Sequence, residues 1–315
     1  MSSKRSRVHP AYKTKYRVTN WPEYDQGLVR RGDLTIWISQ DAIDGWQPSP
    51  TGTRGGQRRF SDAAIETALT IRLLFHLPLR QTEGFLRSPF VLIGLQLKVP
   101  DHTTLSRRAA GLEVRLRHRA SGPIHLVIDS SGLSIIGQGE WAAAKRGGCG
   151  KRGWKKLHLG VDAAGVIVAQ VLTDGNADDA ATGVDLVADI PGEVASVTAD
   201  AAYDTRGIYE AARLRGAAVV VPPIVTASPG APPRCAARVR TVQAVRTFGR
   251  RRWKRESGYH RQGRVENTFF RYKSIIGAAL RSRGARARET EALMACNILN
   301  RMFEIARPKS VAIDA

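Results

Sequence analysis

Three acidic residues stand where chemistry on a phosphate group would need them. Asp129 ends an apolar run, His125-Leu-Val-Ile-Asp129-Ser-Ser-Gly-Leu133, and Asp200 ends another, Val194-Ala-Ser-Val-Thr-Ala-Asp200-Ala-Ala-Tyr203-Asp204. Glu266 lies in a basic, helix-prone stretch from Tyr259 to Lys273. Like charges brought together repel, and some protonate unless a cation compensates them. Mg²⁺ prefers carboxylate and water oxygens and often shares its shell with substrate phosphate. Two such ions about 3.5–4 Å apart can activate an attacking oxygen and stabilise a leaving one. Taken singly, each acid has an ordinary explanation: an Asp after a strand is commonly a turn former or cap, and a Glu on a helix is commonly solvated.

The surrounding chain is strongly basic. Its 315 residues carry 49 Lys plus Arg against 28 Asp plus Glu, a net charge of +21. Such an excess favours a polyanion and gives a steep, salt-sensitive affinity for phosphate backbones. Hydrophobic residues make up 43%, enough for a packed interior rather than disorder. Cys149, Cys235 and Cys296 lie far apart with no Cys-x-x-Cys pair, which argues against a disulfide framework or structural zinc and suits a reducing cytoplasm. No apolar run reaches the roughly 20 residues of a membrane span, so no membrane partner is expected. The basic start, Met1 to Arg17, has no apolar segment behind it and reads as an arm rather than a secretory leader.

Several elements must position the acids. Residues 1–58 read as a basic arm and a small N-terminal subdomain, with Pro48 to Arg59 as a linker. Residues 59–118 read as three helices: one opened by Ser61 or Asp62 with Ile65, Ala68, Leu69 and Leu73 inward, one from about Arg80 to Ile93, and one from His102 to about Leu116. A Pro100-Asp101 turn before the last is compatible with a helix-turn-helix reader of DNA, and equally with a plain helical bundle. From Ser121 the pattern becomes strand-like, with runs at His125–Asp129, Lys156–Asp162 and Val166–Leu172. A helix from Asp178 to Ile190, a strand from Val194 to Ala199, a helix from Thr205 to Arg215 and a strand from Ala217 to Val221 follow. This order suggests an α/β fold with a mixed sheet and helices on its faces. Asp129 and Asp200 then lie at or near strand C-terminal ends, where open sheets collect ligands. Helix returns from about His260 to Ile276, its stripe of Val265, Phe269, Tyr272 and Ile276 packing inward with Glu266 at the edge. A last helix, about Glu289 to Ala306, presents Leu293, Cys296, Leu299, Met302 and Phe303.

Read in order, these strings resemble the motif set of bacterial DDE transposases of the insertion-sequence-5 family, in its insertion-sequence-903-like subgroup. The resemblance starts at Tyr16-Arg-Val-Thr-Asn-Trp21-Pro-Glu-Tyr24 and Arg31-Gly-Asp-Leu-Thr-Ile-Trp37. It runs on through Pro100-Asp-His-Thr-Thr-Leu-Ser-Arg107, the Asp129 string, Gly153-Trp154-Lys-Lys-Leu-His158, the Asp200 string and the Glu266 helix. It implies an RNase H-like (retroviral-integrase-type) catalytic domain over residues 119–307, preceded by an α-helical DNA-binding region. The domain would carry a Pro-rich and basic insertion at about 222–256, and residues 308–315 would form a flexible tail. It further implies Asp129, Asp200 and Glu266 as a metal-binding and catalytic triad, using Mg²⁺ with Mn²⁺ as a substitute. The partners it implies are double-stranded DNA, as transposon ends and target, and a homodimer or higher oligomer on that DNA. Bacterial, cytoplasmic and nucleoid-associated is the setting that follows. The family's glutamate signature of Tyr, Arg, Glu and Lys is matched by Tyr259, Glu266 and Lys273, whereas Gln262 occupies the Arg position, flanked by Arg261 and Arg264. The rivals are an enzyme of the same fold that cleaves without joining and a non-catalytic DNA-binding regulator.

Two basic segments are candidates for phosphate contact. Lys145 to Lys156 holds six cations in 12 residues, among them Lys151, Arg152, Lys155 and Lys156, with glycines that let backbone approach phosphate and Trp154 free to meet a sugar, a base or the core. Arg250, Arg251 and Arg252 begin a second candidate, which a solvated block of cations would equally explain. Tyr259, Arg261, Arg264 and Lys273 complete the expected DNA contacts. His158 and His260 read as structural or phosphate contacts, since imidazole suits softer metals than Mg²⁺. Asp204 reads as a helix cap. Serine nucleophiles at Ser130 or Ser131 and tyrosine nucleophiles at Tyr203 or Tyr259 have no activating group in sequence to support them.

Overall fold

The computed structural model describes residues 16–32, 40–49, 52, 57–117, 122–136, 153–230, 235–307 and 310–312. The chain divides into two compact units, Met1–Trp37 with Arg301–Ala315, and Ile38–Asn300. In the smaller unit, β1 (Tyr16–Val18) pairs antiparallel with β8 (Ser310–Ala312), so these three C-terminal residues form a strand rather than part of a free tail. Helix α1 (Trp21–Gly32) follows β1, and its Gly27 leaves no room for a side chain against Ala306.

The larger unit begins with α2 (Gln40–Asp44) and then three mutually packed helices, α3 (Asp62–Leu74), α4 (Leu79–Leu92) and α5 (His102–Ala109). Ser61 caps α3 by accepting from the Ala64 N–H at 3.1 Å, and the expected inward residues Ile65, Ala68, Leu69 and Leu73 are all buried. Asp101 caps α5, accepting from the Thr103 and Thr104 N–H groups. Helix α5 is shorter than expected: the chain turns at Ala110, where the Gly111 N–H reaches back to the Arg108 carbonyl.

A six-stranded mixed sheet follows, in the order β4–β3–β2–β5–β6, with β7 (Ala279–Leu280) joined to the far end of β2. Strands β2 (Ile124–Ile135), β3 (Trp154–Val161) and β4 (Ile167–Asp174) form an antiparallel meander, and β5 (Val194–Thr198) and β6 (Ala218–Val220) continue in parallel. Helices α6 (Asp179–Asp189) and α7 (Arg206–Leu214) supply the two crossovers. Side chains alternate across a strand, and Ile124, Leu126 and Ile128 join Leu186, Val187, Ile208 and Ala212 in one apolar core. Gly160 makes room for Leu126 there, because a Cβ would stand 2.9 Å from that side chain.

The opposite face of β2 and β3 carries α10 (Gly263–Ile275), which buries Val265, Phe269 and Tyr272. Ile276 is buried as well, and Gly277 ends the segment at φ +113°, a backbone conformation open to glycine. The basic insertion is helical, α8 (Ala236–Phe248) and α9 (Arg250–Glu256). Helix α11 (Ala285–Ile305) starts earlier than expected; Cys296 and Leu299 are buried as expected, together with Ala292, Ala295 and Ile298, whereas Leu293, Met302 and Phe303 are half-exposed. Its Asn300 brackets β4, donating to the Ile167 carbonyl and accepting from the Ile167 N–H, both at 2.8 Å.

Candidate active site

Strand β2 does not end at Asp129. It runs six residues further, because Ser130 to Ser134 keep pairing with β3. Its parallel partner β5 stops at Thr198, the register partner of Val127. Two residues beyond that pair come Asp129 and Asp200, at one level of neighbouring strands and on one side by alternation. Neighbouring strands lie about 4.8 Å apart, so the two aspartates are neighbours where β5 ends, and the charge of Asp200 acts on Asp129.

Each aspartate keeps one oxygen engaged with nearby backbone. Asp129 Oδ1 accepts from the Ser130 N–H at 2.8 Å, and Asp200 Oδ1 from the Ala202 N–H at 2.9 Å, where it caps a 3₁₀ turn over Ala201–Tyr203. Burial pushes the Asp129 carboxyl up to about 6, and the charges of Asp200, Glu266 and Asp179 add to the rise. Glu266 stands on the exposed side of α10, next to buried Val265. Burial raises the pKa of the half-buried Tyr259 hydroxyl first, and the charges of Asp200, Glu266 and Asp129 add to the rise. These hard oxygen donors, two with one oxygen turned away from their backbone bonds, suit a cation such as Mg²⁺ in kind. Among the described residues, no three His, Cys, Asp or Glu side chains are grouped to hold an ion in common.

The signature around Glu266 is split between two elements. Tyr259–Gln262 forms a 3₁₀ turn and α10 begins only at Gly263, so the four positions do not share one helix. Gln262 is buried, and its Nε2 donates to the Ile128 carbonyl at 3.4 Å, tying the turn to the strand beside Asp129. That position faces the protein interior. Lys273 and Arg264 are exposed, Arg261 is half-buried, and Lys273 lies two helical turns beyond Glu266 on the same helix.

The other expected contacts divide in the same way. Lys151 and Arg152 lie outside the described residues. Lys155 reaches Asp174 at 2.6 Å, and Lys156 donates to the Ala177 carbonyl at 2.9 Å and to Asp179 at 3.1 Å. His158 is fully buried and bonds the Thr173 hydroxyl at 2.8 Å; burial lowers its pKa, and of its two weighed roles only the structural one fits. Arg250 holds the Pro223 carbonyl at 2.6 Å, Arg252 pairs with Glu256 at 2.7 Å over the Phe248 ring, and Arg251 is exposed. Trp154 is 44% exposed and lies over Gly132. His260 is exposed.

Asp204 does not cap α7, the role expected of it; Thr205 holds that N-cap position, and Asp204 ends the 3₁₀ turn before it. Asp204 is buried in a bidentate pair with Arg238 of α8, whose Nε donates at 2.9 Å and Nη2 at 3.0 Å, and it also accepts from the Tyr209 hydroxyl at 3.1 Å. This pair seats the basic insertion behind the Asp200 turn. Sequence reasoning also passed over Asp179. The signal was the Asp178-Asp179 doublet opening α6: Asp178 caps the helix through the Ala181 N–H at 2.8 Å, which leaves Asp179 to face the sheet. A groove of about 1250 Å³ between α7, β6 and α8, lined by Tyr209, Arg213, Cys235 and Arg240, contains none of the three acids.

The fold is a mixed α/β sheet with Asp129 and Asp200 beside each other where a parallel strand stops, on a chain of net charge +21. Residues 120–301 match a family model described as a transposase DDE domain, and residues 29–138 match a second model of the same description. The chain belongs to the DDE transposases. DNA is the partner this family implies, and its members generally use divalent metal ions. Among the described residues no helix is long and apolar enough to cross a membrane.

Proposed function

We propose that this protein is an insertion-sequence transposase of the insertion-sequence-5 type and 903-like subgroup. It binds the terminal inverted repeats of its element, cleaves the DNA there and joins the freed ends to target DNA. The placement of Asp129 and Asp200 beside each other where β5 stops is what most supports this reading. The sheet order, an antiparallel meander followed by two parallel strands, supports an RNase H-like catalytic domain. Asp129, Asp200 and Glu266 would hold the cations, Mg²⁺ with Mn²⁺ as substitute. Bound there, such ions supply activation of the attacking oxygen and stabilisation of the leaving one. The protein's own part is positional: the strands fix the two aspartates, Gln262 fixes the turn before α10, and Lys273, Arg264 and Arg261 offer charge to phosphate beside them. The three packed helices α3–α5 form the DNA-reading region, with Thr103, Ser106 and Arg107 on the exposed side of α5. Two DNA ends must meet for joining, so the working form on DNA is a dimer or larger.

Cleavage of a supercoiled plasmid carrying the element's ends tests this, with Mg²⁺ and with EDTA. Wild type nicks at the ends only with Mg²⁺, and Asp129→Asn, Asp200→Asn and Glu266→Gln bind the ends without cutting. If wild type cuts but fails to join pre-cut ends to target, the protein is a nuclease. If none cuts and all bind alike, it is a DNA-binding regulator.

A further inference from the structure

Four arginines, Arg281, Arg283, Arg286 and Arg288, fall within eight residues, apart from the two basic segments described above. This stretch links β7, which pairs with the far end of β2, to the first turns of α11. Its backbone is held at several points. Glu291, 5% exposed, accepts from two successive N–H groups, Arg281 at 2.8 Å and Ser282 at 2.7 Å, and such charge-assisted bonds are the stronger kind. Arg72 of α3 stands 3.9 Å from the same carboxylate. Arg288 Nη2 donates to the Arg283 carbonyl at 2.6 Å. Arg281 turns back to the α3–α4 connection, where its guanidinium donates to the His76 carbonyl. His76 is the one non-glycine residue at positive φ among the described residues, +53°, a conformation few side chains adopt. What this frame presents to solvent is charge. Arg283 and Arg286 are exposed, and among the described residues neither forms an ion pair, not even with the exposed Glu289 close by in sequence. Between them Gly284 faces open space, where a Cβ would meet nothing within 4 Å, so a phosphate group can approach the backbone.

We propose that the loop from Arg281 to Arg286 grips the phosphate backbone of duplex DNA, with Arg283 and Arg286 each on a phosphate. This rests on the reading of α3–α5 as the DNA-reading region and of Asp129 and Asp200 as the cutting site. The loop is tied to both: to α3 through Arg72, to the α3–α4 connection through His76, and to the strand of Asp129 through β7. Strand β2 advances about 16 Å over the five residues from Asp129 to Ser134, the register partner of Ala279. The four residues on to Arg283 span at most about 14 Å. The loop therefore lies within roughly one turn of duplex, about 34 Å, of the carboxylates. DNA read by the helices and cut at Asp129 is held there along its backbone. A guanidinium meets phosphate as a fork and reads no base, so the loop contributes affinity and register and leaves sequence preference to α5.

The test is equilibrium binding of the full-length protein to duplex carrying the element's end and to unrelated duplex. Fluorescence anisotropy reads it in EDTA across a range of NaCl. Each phosphate contact contributes about 0.9 to the slope of log affinity against log salt concentration. Arg283→Ala with Arg286→Ala is expected to lower that slope by about two and to weaken binding to both duplexes by the same factor. Arg213→Ala with Arg240→Ala removes two exposed charges beside β6 and is expected to leave the slope as in wild type. An unchanged slope in the first variant overturns the proposal. So does an equal drop in the second, which would trace the effect to net charge alone. If wild type shows no preference for the element's end while the first variant still loses slope, the transposon-end reading falls and the backbone grip stands. If wild type binds neither duplex, both fall.

Discussion

Arg238 clasps Asp204 through both carboxylate oxygens in the interior of the protein, with the two side chains 1% and 0% exposed. The pair joins α8 of the insertion to the segment four residues after Asp200, and the Tyr209 hydroxyl and Ile224 N–H complete the shell of Asp204. Removing one partner of such a pair strands a buried charge at a cost of about 3–5 kcal/mol, whereas removing both costs much less. Arg238→Met is therefore expected to lose about that much stability in urea unfolding, and Asp204→Leu combined with Arg238→Met to regain most of it. Equal losses in the single and double variants would show that the pair carries no coupling.

The Asp129 carboxyl yields a pH dependence with a fixed sign. Its folded pKa, about 6 against an ordinary 3.8, means the folded state favours the protonated form. The contribution to stability is fully present below about pH 4 and is lost as pH rises through about 6. In EDTA, Asp129→Asn should match wild type near pH 4 and exceed it by up to about 3 kcal/mol above pH 6.5. A difference that stays flat across this range would mean the carboxyl titrates normally.

Gly183 sits under the ring of Tyr203. A Cβ there would stand 2.8 Å from the ring and 3.2 Å from Ile208. Overpacking of this kind costs about 1–3 kcal/mol, so Gly183→Ala is expected to lower stability by that amount. Because Tyr203 closes the turn capped by Asp200, the same substitution should also slow end cleavage more than it weakens end binding. Thermal unfolding and the plasmid assay together check this.

Cys296 is fully buried on α11, and burial drives its thiol pKa up. Cys235, free and half-buried, is the more accessible of the two described cysteines. In a variant carrying Cys149→Ser and Cys235→Ser, a thiol reagent should find no group in the native protein and one after unfolding. Rapid native labelling would place Cys296 in a part of the structure that opens easily.

The identities and order of the acids, the basic balance and most element boundaries were legible in the sequence, because apolar periodicity and capping residues act locally. Ser61, Gly277 and the Val265–Ile276 stripe do what their positions dictate. Tertiary structure alone decided which groups meet. Asp129 gains Asp200 as a neighbour not by ending its own strand but because β5 stops short beside it, a matter of pairing between residues about 70 positions apart. Gln262 stands where the family carries Arg, and His158 reads as either a structural or a phosphate contact; both are buried, since strand alternation and the 3₁₀ turn set their facing only once neighbours are in place. Asp204 reads as a cap, and its partner Arg238 lies 34 residues away on a helix that composition did not announce. Charge partners are chosen by the fold, because ion pairing depends on distance in space and leaves no periodic trace in the chain.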